Sequence, residues 1–450
     1  MSTLKTQLKW LLAGVTAGLM SQGAAASTLT TLYTFTGGSD GAYPIGGLIE
    51  GAKGVLYGTT ALAGGTGCGV GCGTIFQMTP PSGGSGWTFS VIYTFAGQGD
   101  GQQPINLVLG TGGVIYGVAE YGGYSSCTVG GVLLGCGQVF ALTPPAQGAT
   151  AWKLTTLHQF GGGADGAFPA YGLTRDAKGD LFGMAFGGGS CGTGACGTVF
   201  ELAPAGQNAW AFNVLHGFSG GADGAAPYGT PLLDAAGNLY GTTSIGGTST
   251  HPVCVAAGGC GTVWRLAPPS GGQTAWSKTT LWNFSGADGI YPLGALISDT
   301  AGNLYGSTNE GGLLSACAPG GGVPPGCGVV YELSPPANGG TTWTRKLVWR
   351  YTGGPDGLYP AAGPVARLGT LYATSGGGDL KGFGSITKMV PPGGARKAWS
   401  ITSAFTFAND ANGAQPEDAL LLRGGVFYGT TLGHDGPAPA RYGTVFSITP

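Results

Sequence analysis

The chain has 450 residues, among them 95 Gly and 28 Pro, with only 8% charged residues and a formal net charge of −2. A hydrophobic share of 42% excludes a disordered low-complexity chain despite the glycine. The near-neutral balance excludes the basic face that nucleic-acid binding needs, and it leaves no polybasic membrane patch.

Lys5 and Lys9 precede the apolar run "WLLAGVTAGLM" and then "AAA" at 24–26. This is the order of a signal peptide, and the run is too short to span a bilayer. Cleavage is predicted after Ala26, so residues 1–26 are a leader and 27–450 one domain. No Cys follows the cut, no second apolar stretch of spanning length occurs, and no anchor follows "GTVFSITP". The mature chain is expected to be secreted or periplasmic, without a membrane span.

One unit then recurs along the chain. Asp-Gly pairs begin at Asp40, Asp100, Asp165, Asp223, Asp288 and Asp356, and Asn412 takes the slot in a seventh copy. A Pro follows each: Pro44, Pro104, Pro169, Pro227, Pro292, Pro360 and Pro416. Next come an "LYG" segment and a "GTVF" segment, whose glycines are Gly73, Gly137, Gly197, Gly261, Gly328, Gly384 and Gly443. A Trp closes six copies: Trp87, Trp152, Trp210, Trp276, Trp343 and Trp399. The first unit holds the strand candidates "GGLIEG", "GVLYGTT", "GTIFQMT" and "WTFSVIYTF", short, rich in β-branched and aromatic residues, and bounded by turn formers. Four strands per unit, seven times over, predict an all-β, seven-bladed β-propeller. Trp87 lies eight residues before Phe95, and eight before Phe35 is Ser27. The mature chain therefore opens on a lone fourth strand and ends on a third, so the N-terminal strand is expected to complete the last blade and remove free edges.

The "LYGTT…GG…GTVF" unit resembles the GloVer-type tandem repeat of exported bacterial proteins, across nearly all of residues 28–450. The resemblance implies a repeat fold and export, and it implies no chemistry. Members of that family often end in a sorting and anchoring tail, a feature this sequence departs from.

Length variation concentrates between the second and third strands, and in repeat folds such insertions map to one face. All ten cysteines lie in these loops, paired as Cys68/Cys72, Cys127/Cys136, Cys191/Cys196, Cys254/Cys260 and Cys317/Cys327. An even count, export and pairing within each loop predict disulfides. A structural zinc site wants four ligands where each loop offers two, and a redox C-x-x-C would open a helix. No metal and no cofactor are expected.

The Asp-Gly pairs read as turns, with Asp accepting backbone N–H groups and Gly at positive φ, rather than as a Ca²⁺ ring. The Trp residues read as packing between blades, and His158 and His216, which share one slot, as blade packing. The better functional candidates are the non-repeated polar residues of the variable loops: Glu120, Tyr121, Tyr124, His251, Asn309, Glu310, Asp379, Lys381, His434, Asp435 and Arg441. Glu120 and Glu310 look like matching positions in two copies, and a carboxylate pair could do acid–base work on a glycan. No G-x-S-x-G, H-E-x-x-H or P-loop pattern occurs. The leading expectation is a non-catalytic binding or scaffold module that presents its stapled loops to an extracellular glycan or protein. The alternatives are a secreted carbohydrate-active hydrolase or lyase, and a purely structural envelope or matrix protein.

Overall fold

The computed structural model describes residues 27–450 except 66, 84–85, 98, 124–126, 130, 192–195, 207–208, 318–324, 338–339, 378–381, 395 and 434–440; the side chains of Val129 and Cys191 and the expected leader also lie outside the described residues. Seven four-stranded antiparallel sheets form the blades of a β-propeller. Blade 1 comprises Ile49–Glu50, Leu56–Thr60, Thr74–Thr79 and Thr88–Thr94. Blade 2 comprises Gln102–Leu109, Ile115–Tyr121, Gln138–Thr143 and Lys153–Gln159. Blades 3 to 6 follow within 174–217, 225–283, 297–350 and 365–406. Blade 7 holds Leu421–Arg423, Val426–Thr431 and Thr444–Thr449, and Thr28–Thr34 pairs antiparallel with Thr444–Thr449 as its fourth strand. Among the described residues helix is confined to short turns, chiefly Pro252–Ala256 in a blade 4 loop. No described helix is long and apolar enough to cross a membrane.

Each part of the repeat has a packing reason. The "LYG" glycine makes room for the "GTVF" aromatic: a Cβ on Gly58 would stand 2.4 Å from the Phe76 ring, and one on Gly183 2.4 Å from Phe200. Phe35, Phe76, Phe95, Phe140, Phe160 and Phe200 are fully buried in the blade cores. A hydroxyl near the end of the second strand meets the first of the third: Thr60 with Thr74 at 2.8 Å, Thr243 with Thr262 at 2.8 Å, and Thr431 with Thr444 at 2.9 Å. These pairs satisfy buried hydroxyls that would otherwise cost about 1–3 kcal/mol each.

The seams between blades explain the repeated Gly and Pro. A Cβ on Gly73 would lie 2.7 Å from Pro104 Cδ of the next blade, and the same close approach joins Gly137 to Pro169, Gly197 to Pro227, Gly261 to Pro292, Gly328 to Pro360 and Gly384 to Pro416. Gly443 meets Pro44 in this way, blade 7 against blade 1. The Trp residues bridge the same seams. Trp87 packs on Tyr428 at 5.7 Å, Trp152 on Tyr57 at 6.1 Å, Trp210 on Tyr116 at 5.5 Å and Trp276 on Phe182 at 6.2 Å between ring centroids.

Two repeated features carry no residue signature. The residue before each Pro has positive φ (Tyr43, Gln103, Phe168, Ala226, Tyr291, Tyr359 and Gln415), which is unusual for side-chain-bearing residues. Its N–H donates back across the seam, as from Gln103 to Cys72 O, Phe168 to Cys136 O and Tyr43 to Tyr442 O. A β-bulge also interrupts every pairing of third and fourth strands, leaving Leu32, Ile92, Leu157, Leu215, Leu281, Val348 and Ala404 without a partner. The bulge re-aims the next side chain. That side chain reaches the Asp-Gly turn: Tyr33 donates to Asp40, Tyr93 to Asp100, Trp282 to Asp288 and Trp349 to Asp356.

Candidate functional site

The loops between second and third strands gather on one face with the Asp-Gly turns. Four disulfides are described there: Cys68–Cys72, Cys127–Cys136, Cys254–Cys260 and Cys317–Cys327. Cys196 is also disulfide-bonded; the side chain expected to pair with it, Cys191, lies outside the described residues. Three of the four described bridges rest closely on a glycine of the turn that enters the next blade. A Cβ on Gly97 would lie 2.8 Å from Cys68 Sγ, one on Gly162 2.4 Å from Cys127 Sγ, and one on Gly353 2.5 Å from Cys317 Sγ. In blade 7 a ring replaces the bridge: Tyr442 occupies the slot of the second Cys, 2.7 Å from where a Cβ on Gly37 would stand. The staple therefore fixes the loop and also holds the carbonyl that the next blade's N–H uses.

The Asp residues cap their own turns, and Asp223 also accepts from Lys278 Nζ of blade 4 at 2.8 Å. Asp40 accepts from Thr36 N at 2.7 Å, Thr36 Oγ1 at 2.6 Å and Gly38 N at 3.2 Å, besides Tyr33. The turn glycines Gly41, Gly101 and Gly166 have φ of 100°, 94° and 103°. His216 contacts Asp223 at 3.1 Å and His158 contacts Asp165 at 3.4 Å. Burial lowers the pKa of both His residues, against the pull of the Asp. In the seventh copy Asn412 does not take over the Asp role. Its N–H donates to Asp410, which caps the turn, and its side chain accepts from Thr31 of the N-terminal strand. Among the described residues no group of three or more His, Cys, Asp or Glu is arranged to hold a metal.

The sequence-derived candidates separate. Tyr124, Asp379, Lys381, His434 and Asp435 lie outside the described residues. His251 caps the helix Pro252–Ala256, its Nδ1 accepting from Val253 N at 3.3 Å. Arg441 is exposed and lies 5.3 Å from the centroid of the Tyr442 ring. Asn309 donates its main-chain N–H to Tyr291 O. Glu120 and Glu310 do not pair. Glu120 lies four residues after Tyr116 of its "LYG" segment and Glu310 five after Tyr305, so the residue matching Glu120 is Asn309, and the one-residue offset reverses the face. Glu310 is buried, burial pushes its carboxyl up to about 7, and its charge helps to raise Tyr291 and Tyr359. Tyr121, in the slot matching Glu310, packs on Phe168 at 5.7 Å.

Glu120 instead faces a cavity of about 290 Å³ on the ring axis, lined by residues of all seven blades. Its walls come from the residues just after each Pro, mostly Gly, Ala and aliphatic residues, which let the inner strands approach closely. A Cβ on Gly294 would stand 2.4 Å from Gly363 N. Polar groups enter from a few blades only. Tyr171 and Tyr228 lie 3.6 Å apart between ring centroids. Thr230 donates to Tyr171 O at 2.6 Å, and Asn106 donates there at 3.1 Å while accepting from Gly47 N at 2.5 Å. Blade 7 contributes Glu417 and Asp418, and Gly46 N donates to Asp418 at 2.7 Å. Among the described residues no Lys, Arg or His lines this space. Burial pushes Asp418 up to about 7, with the Gly46 N–H opposing and the Glu417 charge adding to the rise. Burial raises Glu120 and Glu417 as well, and takes Tyr228 to about 12. Sequence reasoning missed Glu417, Asp418 and the two tyrosines. The signal was the tract after Pro: "PEDAL" in blade 7, "PAYGL" in blade 3 and "PYGTP" in blade 4, where blades 1, 5 and 6 read "PIGGL", "PLGAL" and "PAAGP".

A model of the Gloeobacter/Verrucomicrobia repeat matches residues 70–318. No curated protein matches the sequence. Similar solved structures include a putative oxidoreductase (glucose dehydrogenase) of Thermus thermophilus, at 15% identity and TM-score 0.44 over 94% of this chain and 99% of that one. A family AA12 carbohydrate-active enzyme of Trichoderma reesei matches at 12% identity and TM-score 0.43, over 94% and 96%. The PQQ-bound aldose sugar dehydrogenase of Streptomyces coelicolor matches at 12% identity and TM-score 0.41, over 94% and 98%. Likeness at this level carries no chemistry over to this chain.

Proposed function

Because the chain belongs to the Gloeobacter/Verrucomicrobia repeat family and its loops are disulfide-stapled, we propose that it is an exported, non-catalytic binding or scaffold module whose stapled face takes an uncharged extracellular ligand, a glycan foremost. Disulfides belong to an oxidising compartment. One observation carries the reading. The five Cys-bearing loops hold a single Asp, Glu, Lys or Arg between them, Glu310, and that residue is buried. Their tips expose Val70, Val132, Leu133, Val255 and Leu313. A rigid, charge-free, partly apolar crown loses little entropy on docking and suits a neutral surface. The test is to screen residues 27–450, produced under oxidising conditions, on a polysaccharide array with and without EDTA. Specific binding without product release, weakened when Val70, Val132, Leu133 and Val255 become Ser, supports the module. Silence on every glycan transfers the reading to a protein-partner scaffold.

A second reading rests on the axial cavity. Glu120, Glu417 and Asp418 have raised pKa values near two tyrosines, the environment in which one carboxyl donates a proton while another accepts. A hydrolase or lyase built there releases product on the same array, and E120Q, E417Q or D418N abolishes that release while leaving capture by the loops intact.

A further inference from the structure

The face opposite the staples carries the turns between first and second strands, and one seam on it differs from the rest. The first-strand residue paired with the one before the "LYG" aromatic is Glu50 in blade 1, Leu109 in blade 2, Arg175 in blade 3, Leu233 in blade 4 and Leu422 in blade 7. In blades 5 and 6 it is Ser298 and Ala366. The two smallest side chains of the series thus stand in neighbouring blades, and a groove of about 440 Å³ opens between them, lined by both. Tyr305 and Trp399 are the aromatic pair of this seam. In four other seams their counterparts meet ring against ring, whereas these two line the open groove.

We infer that this groove is a binding site for a neutral saccharide, separate from the stapled face. The polar lining is Ser298, Thr300 and Asp299. The Asp299 carboxylate is spent on its own turn, accepting from Ala301 N at 2.9 Å, Asn303 N at 2.9 Å, Asn303 Nδ2 at 2.7 Å and the Tyr305 hydroxyl at 3.2 Å, which anchors the Tyr305 side chain. Two hydroxyls beside two aromatic faces offer what a sugar ring presents in complement: hydroxyls at its edge and C–H groups on its faces. Among the described residues no Lys or Arg lines the groove to call for an anionic ligand. Neighbouring blades were free to hold Leu in the same slots, so the opening comes from residue choice and is not forced by the fold.

The test uses residues 27–450 with their disulfides formed and four neutral probes: cellotriose, maltotriose, xylotriose and chitotriose. Binding is read by saturation-transfer NMR and by calorimetry. Wild-type protein binds at least one probe. S298L/A366L, which installs the residue that blades 2, 4 and 7 already carry, melts at or above the wild-type temperature and loses the binding. W399A weakens it about tenfold through lost stacking. Array capture by the stapled face stays unchanged in S298L/A366L, so failure here and failure of the loop reading are told apart. The inference is overturned if wild type binds none of the four probes, or if the filled variant binds as well as wild type. Binding of a Pro-rich peptide in place of sugars, displaced by the same filling, also overturns it.

Discussion

At the scale of single residues, the repeat assigns fixed jobs to side chains that a binding screen could mistake for ligands. Asp40 collects four hydrogen bonds inside its own turn, so Asp40→Ala strands buried donors and lowers stability by about 2–4 kcal/mol, measured by denaturant unfolding, with no change in ligand binding. Asp418 behaves differently. Its folded pKa of about 7 lies above the ordinary carboxylate value, so the folded state holds the proton more tightly than the unfolded one. Its unfavourable contribution is absent below about pH 4, grows as pH rises towards 7 and is complete above that. D418N, which keeps an acceptor for Gly46 N, therefore gains little over wild type at pH 4. It gains on the order of 1–2 kcal/mol at pH 8, after screening by cavity water. Paired thermal melts across that range check this. The turn Asp, the seam Pro and the seam Gly were legible from sequence because one residue type serves each at fixed spacing. The positive-φ position before Pro was not, since Tyr, Gln, Phe and Ala all fill it and the backbone alone makes the hydrogen bond. Glu417 and Asp418 were hidden because they follow Pro416, in a tract that holds only small or aliphatic residues in blades 1, 5 and 6.

At the scale of strands and loops, the staple and the seam are one device. The second Cys of a bridge supplies the carbonyl that receives the next blade's N–H, and the glycine after it meets the next blade's proline. Gly443→Ala would drive a Cβ to 2.3 Å from Thr431 O and 2.4 Å from Pro44 Cδ at φ +95°, and costs about 3 kcal/mol or more. Gly83→Ala, where no atom lies within 4 Å of the new Cβ, carries only the backbone strain of φ +85° and costs about 1 kcal/mol; paired melts rank the two. Replacing Cys127 and Cys136 with Ser opens a bridge of sequence separation 9 and costs about 2–3 kcal/mol. Limited proteolysis then cuts first within 121–137. The loop face was readable from spacing alone, because length variation there has no packing partner to oppose it. The seven bulges were not readable, since a bulge changes pairing without changing strand composition.

At the scale of the whole molecule, the sheet of blade 7 joins the two ends of the described chain. Residues 36–450, lacking Thr28–Thr34, would leave Thr444–Thr449 as an open edge. Such a chain elutes as oligomers and loses its cooperative melt, while 27–450 stays dispersed. Blade number and strand order followed from counting units, because a repeat that cannot bury its own face must stack on a copy of itself. The axial cavity did not follow, because it exists only where seven inner strands converge.

The glycine-to-proline seam has one more consequence. All seven junctions repeat this glycine–proline approach, so at that contact the trailing edge of any blade fits the leading edge of every other. The contact itself is a coupling that carries no address, and blade order is left to covalent connection and to seam-specific pairs such as Arg423–Glu50 between blades 7 and 1. A gene that gains or loses one repeat therefore produces a blade with ready partners on both sides. Two crowded chains can likewise exchange a terminal blade without making a contact that either lacked before.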